Sequence, residues 1–65
     1  MKWNKDKVME KYDGLPYKKK EDVLLEALDY MQQYNGRSPY DCVALAMCDY
    51  LGIDEKIKYR IYCEE

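Results

Sequence analysis

The side chains in this sequence that could do chemistry are mainly carboxylates and thiols, and no histidine accompanies them. Paired carboxylates at helical spacing, Asp22 with Glu26 and Glu26 with Asp29, are residue types that general acid–base catalysis uses. That chemistry needs a pocket to drive the two pKa values apart, and an exposed pair on a 65-residue chain has none. Without histidine, neither a Ser-His-Asp nor a Cys-His relay can be assembled, and the HExxH and Cys2His2 zinc patterns cannot be written. Gly14, Gly36 and Gly52 are isolated, so no glycine-rich phosphate loop exists. No catalytic residue, cofactor or metal ligand is assigned, and the expectation is a protein that is not an enzyme.

Cys42, Cys48 and Cys63 contain no CxxC pair. Six residues along a helix rise about 9 Å, beyond the reach of a disulfide, so Cys42 and Cys48 cannot bridge if they share one. A bridge from Cys63 to either stays open, but three cysteines fit reduced thiols in a reducing compartment better than a disulfide scaffold. No apolar run approaches the roughly 18–20 residues of a membrane span, and no signal-peptide pattern opens the chain. A cytoplasmic protein without a membrane partner is expected.

What remains is recognition, and charge is where the sequence speaks. The formal charge is −2. Residues 1–20 hold seven lysines against Asp6, Glu10 and Asp13, whereas residues 21–55 hold eight carboxylates against Arg37 alone. Segregation of this kind serves either internal pairing or an acidic face aimed at a basic partner. Asp22, Glu26, Asp29 and Gln33 fall at i, i+4, i+7 and i+11 of one helical face, with Leu25 beside them. Like charges at this spacing cost a few tenths of a kcal/mol each, and no lysine is interleaved to relieve them. Asp41, Leu45 and Asp49, at i, i+4 and i+8, form a second acidic wedge. Leu25 and Leu45 would each be an apolar anchor ringed by charge, the arrangement of a small hot spot, unless the last helix covers Leu45. Eight tyrosines and no phenylalanine add amphipathic rings, suited to an interface or to the rim of a core.

The elements that must position these residues are helical. Asn4 caps a helix over about Lys5–Asp13, with Trp3 and Val8 at the two positions of a hydrophobic staple. Gly14 suits the left-handed residue after its last turn, and Pro16 blocks continuation. After a connector over Leu15–Lys20, a second helix runs from about Lys19 to Tyr34 without a good cap. Its apolar arc comprises Val23, Leu24, Ala27, Leu28, Tyr30, Met31 and Tyr34. Ser38-Pro39 opens a third helix that ends at Leu51-Gly52. Val43, Ala44, Ala46, Met47, Cys48, Tyr50 and Leu51 cover most of its circumference, so it should sit at the centre.

The last segment reads two ways. Asp54 can cap a helix over Glu55–Tyr62 with Ile57 and Ile61 inward. Ile57, Tyr59, Ile61 and Cys63 also alternate with Lys56, Lys58, Arg60 and Tyr62, as in a strand, and a strand would need pairing across a homodimer. Capping favours the helix. The fold class is therefore all-α, a bundle of three to four short helices around helix 3.

The stretch from helix 3 through Leu51-Gly52-Ile53 resembles a helix-turn-helix over about 20 residues, which implies DNA binding or transcriptional regulation. Ile57 comes one position early for that motif, and Asp54 and Glu55 would repel phosphates, although Lys56, Lys58 and Arg60 argue the other way. Direct nucleic-acid binding is accordingly the lesser expectation. The leading one is a small non-catalytic interaction module presenting an acidic, tyrosine-rich helical face to a larger basic protein, such as a nucleic-acid-binding enzyme. Size, charge pattern and a residue usage that favours Lys, Tyr, Met, Ile and Asn together over Gly, Ala, Arg and Pro suit a phage or mobile-element inhibitor.

Overall fold

The structure, a computed structural model, describes residues 2–63. Among them the order is α1 (Lys5–Asp13), α2 (Tyr17–Gln33), α3 (Pro39–Leu51) and α4 (Glu55–Cys63), with no strand. The Asn4 side chain accepts from the Lys7 amide at 2.8 Å, and Val8 is fully buried with Trp3 half-buried against the same core. The cap and the staple thus form as their residue types dictate.

The α1–α2 corner departs from expectation. Gly14 is right-handed at φ −80° and not left-handed, so glycine's freedom is not what ends α1. Pro16 ends it by having no amide to donate. The Pro16 carbonyl then accepts from both Lys19 and Lys20 amides at 3.0 Å, which starts α2 at Tyr17. The connector over Leu15–Lys20 shrinks accordingly. No side chain caps this end, and Lys18, Lys19 and Lys20 oppose the helix dipole there.

Around α3 the caps are complete. Ser38 Oγ accepts from the Asp41 amide at 3.3 Å, Pro39 occupies the first turn, and Gly52 closes the helix in the left-handed region at φ 71°. Asp54 then starts α4, its side chain accepting from the Lys56 amide at 2.8 Å and its carbonyl from the Lys58 amide at 2.9 Å. The segment is a helix, with Ile61 fully buried and Ile57 half-buried. The strand alternative falls, and with it the need for an edge to pair across a homodimer.

Helix α3 is central, as its apolar circumference requires. Every residue from Cys42 to Cys48 is buried, and α1, α2 and α4 each pack chiefly against it through Val8, Val23 with Ala27, and Ile61. The three cysteines are free thiols, two of them buried in this helix. The molecule measures 30 × 27 × 17 Å. Its thin dimension is less than two helix diameters of about 10–12 Å, so the outer helices keep wide uncovered faces.

That geometry overturns part of the expected apolar arc of α2. Leu24 and Leu28 are 43% and 52% exposed, because α2 packs chiefly against α3, which covers the stripe through Val23 and Ala27 and leaves the side with Leu24 and Leu28 outside. Tyr50 on α3, expected among the buried residues, is likewise exposed.

Met47 is the largest fully buried side chain. Met47→Ala should cost about 2–5 kcal/mol. That rivals the roughly 3–5 kcal/mol a domain this small can muster. Loss of the cooperative thermal transition followed by circular dichroism is the expected result; an unchanged midpoint would contradict the assignment of α3 as the core.

Candidate interaction face

The sequence grouped eight residues into two acidic clusters, and the fold treats the clusters differently. Asp22, Leu25, Glu26, Asp29 and Gln33 stand together on the outer side of α2, all exposed, with Leu25 at 65%. Glu26, Asp29, Tyr30 and Gln33 line a shallow hollow of about 180 Å³ there. None of Asp22, Glu26 and Asp29 takes part in an ion pair among the described residues; the pairs there belong to Asp41 and Asp49. Lys18 and Lys19 precede Asp22 by about one helical turn, yet neither they nor Lys20 forms an ion pair with the row among the described residues, and Lys20 lies over the Tyr12 ring at 5.5 Å.

The α3 cluster is consumed internally. Asp41 accepts from Lys5 Nζ at 2.7 Å and has Arg37 Nη1 at 3.9 Å. The Lys5 hydrogen bond holds its carboxyl below the usual range, outweighing the opposing effect of burial. Asp49 accepts from the Tyr30 hydroxyl and from Lys58 Nζ, the latter at 2.9 Å, while Lys58 also donates to the Tyr30 oxygen at 2.7 Å. Burial alone would lower the Lys58 ammonium, but its bonds to Tyr30 and Asp49 outweigh that and raise it. Burial, then the bond to Asp49, raise the Tyr30 phenol. This triad ties α2, α3 and α4 together. Burial also pushes the Cys48 thiol up to about 11, which keeps it a neutral packing group and not a nucleophile.

Leu45, expected as an anchor between these aspartates, is 3% exposed. It floors a hollow of about 170 Å³ whose walls include Tyr34, Lys58, Tyr59 and Tyr62, so α4 and its tyrosines cover it. The reading of Asp41, Leu45 and Asp49 as a docking cluster is corrected: they hold helices together.

What the sequence did not reveal is a ladder of rings across the α2–α4 seam. Tyr30 and Tyr34 stack at 6.0 Å, Tyr34 meets Tyr62 at 5.0 Å, and Tyr62 meets Tyr59 at 6.3 Å. Arg37 lies over Tyr62 at 4.2 Å and Lys58 over Tyr30 at 5.1 Å. The within-helix pairs were legible as i, i+4 and i, i+3 neighbours. Their meeting across helices was not. Tyr59 and Tyr34 keep 69% and 37% of their surface exposed, and Tyr30 joins the ladder to the acidic hollow. On the other flank of the carboxylate row, Leu24 and Leu28 extend the apolar surface of Leu25. Among the described residues no group of three or more metal-ligating side chains converges, and no helix is long and apolar enough to cross a membrane.

Comparison with protein-family models, curated proteins and solved structures finds no match, so this face is interpreted from its own physical chemistry.

The Asp41 pairing has a pH signature. A carboxyl held below its ordinary 3.8 in the folded chain contributes stability above that pH, and the contribution fades as pH falls through the depressed folded value. Asp41→Asn should lower stability at pH 7 by about 1 kcal/mol. The gap from the parent should narrow as pH drops below about 4, measured by urea unfolding at both pH values. A gap that does not narrow at low pH would contradict the Lys5–Asp41 pairing.

Proposed function

We propose that the protein is a non-catalytic interaction module that docks the outer face of α2, with the adjoining tyrosine ladder, onto a basic surface of a larger protein. The observation that carries this reading is the row Asp22, Glu26 and Asp29, exposed and without ion pairs among the described residues. The carboxylates of α3 have found cations inside the same molecule. A row left uncompensated costs the free protein repulsion between neighbours and gains electrostatic attraction once a cationic surface meets it.

The apolar content of the face fits a protein partner. Leu25 is large, exposed and beside the charge, the ring ladder leads from Tyr30 at the acidic hollow to the exposed Tyr59, and tyrosine is among the residues enriched in binding hot spots. A nucleic-acid-binding protein is the kind of partner whose basic surface would match. The match is one of general charge complementarity and not of duplex imitation. Three carboxylates over about 10 Å of helix rise are sparser than one phosphate per roughly 3.4 Å of strand. Inhibition of a nucleic-acid enzyme by occlusion of its basic surface, as a phage or mobile-element protein would do, follows if the face binds there.

The helix-turn-helix reading draws less support. Helix α4 opens with Glu55, and Lys58 is engaged by Asp49, leaving Lys56 and Arg60 as its cations without an ion pair among the described residues.

Glu26→Lys combined with Asp29→Lys should abolish retention of a basic partner from a cell extract while leaving the helical circular dichroism signal intact. Retention by the parent chain should weaken as salt rises. Leu25→Ala should weaken the same complex by about 1–2 kcal/mol, as for a hot-spot side chain. An identical set of retained proteins with the charge-reversed variant would refute the proposal.

A further inference from the structure

A group of cations without ion pairs among the described residues gathers around Trp3. Lys2, Trp3, Asn4, Lys7, Arg60 and Cys63 line a groove of about 590 Å³ where the start of α1 meets the end of α4. That volume falls within the range of about 300–1,000 Å³ typical of small-molecule sites. Arg60 Nη2 donates to the Trp3 carbonyl at 3.0 Å, which ties residue 3 to α4. Trp3 also packs against the core, so the indole is held in place at the groove wall. Most donors of the Arg60 guanidinium remain free, in the planar fork that suits a phosphate.

Among the described residues no carboxylate lines this groove, and Lys2, Lys7 and Arg60 form no ion pair there. A smaller hollow of about 160 Å³ shares Trp3 and Lys7 and adds Lys11 and the carboxylate Glu10. Three cations beside a fixed aromatic ring are what a phosphate carrying a planar base requires: charge for the phosphate, and a π-face for the base. An acidic peptide would use the cations but leave the indole without a stacking partner.

We infer that this groove binds a nucleotide, with its phosphate among Lys2, Lys7 and Arg60 and its base against the Trp3 indole. The site shares no residue with the α2 face and stands or falls independently of it. It also differs from duplex reading by α4, since it is built where the two ends of the described chain meet.

Trp3 is the only tryptophan, so its fluorescence reports the site directly. The full chain is titrated in low-salt buffer with thymidine monophosphate, a short oligothymidylate, inorganic phosphate and oligoglutamate. Both thymidine ligands should quench Trp3, and inorganic phosphate and oligoglutamate should not. The Lys2→Gln/Lys7→Gln variant should bind about tenfold more weakly with unchanged circular dichroism. Arg60→Gln should weaken binding as well, and because Arg60 also holds Trp3, the lysine variant is the deciding one. If the oligonucleotide binds more tightly than the monomer, with a slope of log affinity on log salt of about −2, the ligand is single-stranded nucleic acid. Equal affinity for the two identifies a free nucleotide. Absence of quenching by both at millimolar concentration, undiminished binding by the lysine variant, or equal quenching by oligoglutamate would overturn the assignment.

Discussion

Burial of α3 on all sides governs the rest of the molecule. A helix whose residues from Cys42 to Cys48 are all withdrawn from water must be surrounded, and only three other helices are available to do it. Each then gives α3 a narrow stripe and keeps the remainder of its own surface outside. Ala27, Ala44 and Ala46 are buried, and Met47 fills the centre with an adaptable side chain. The consequence is a thin molecule with a high ratio of face to core, which is unfavourable for stability and favourable for recognition.

The same constraint sorts the charges. Asp41 and Asp49 mark the ends of the one polar wedge of α3, so α1, α2 and α4 bring Lys5, Tyr30 and Lys58 to them and the loop before α3 brings Arg37. Part-buried carboxylates need such partners, because burial without pairing penalises the charged form. The cations thus engaged are no longer available to α2, whose carboxylates face water on a helix that nothing overlies. The acidic row is the residue of internal pairing, and the basic groove around Trp3 is its counterpart at the other end of the charge separation.

If both faces are occupied in the functional state, the protein bridges a basic protein surface and a phosphate-bearing ligand. The tyrosine ladder runs along the α2–α4 seam beside the first of these faces, while Arg60 belongs to the second. The two lie on different surfaces of α4, which would allow simultaneous occupancy.

Local chemistry settled most of the fold before any packing was considered. Asn4, Ser38 and Asp54 cap their helices because a side-chain oxygen answers orphan amides wherever the chain turns into a helix. The central place of α3 followed from an apolar circumference that no solvated helix could carry. The row Asp22, Glu26, Asp29 was likewise visible, since 3.6 residues per turn put those positions on one face whatever surrounds them. Which face of a helix is covered, however, depends on how many neighbours it meets. Periodicity placed Leu24 and Leu28 inward, and the way α2 packs chiefly against α3, through Val23 and Ala27, leaves them outside. Equally, nothing local distinguishes Asp41 and Asp49 from the α2 carboxylates. Lys5 is 36 residues from Asp41, and Trp3 is 57 from Arg60. Pairings at such separations are decided by which helices share α3, a property of the assembled chain and of no segment within it.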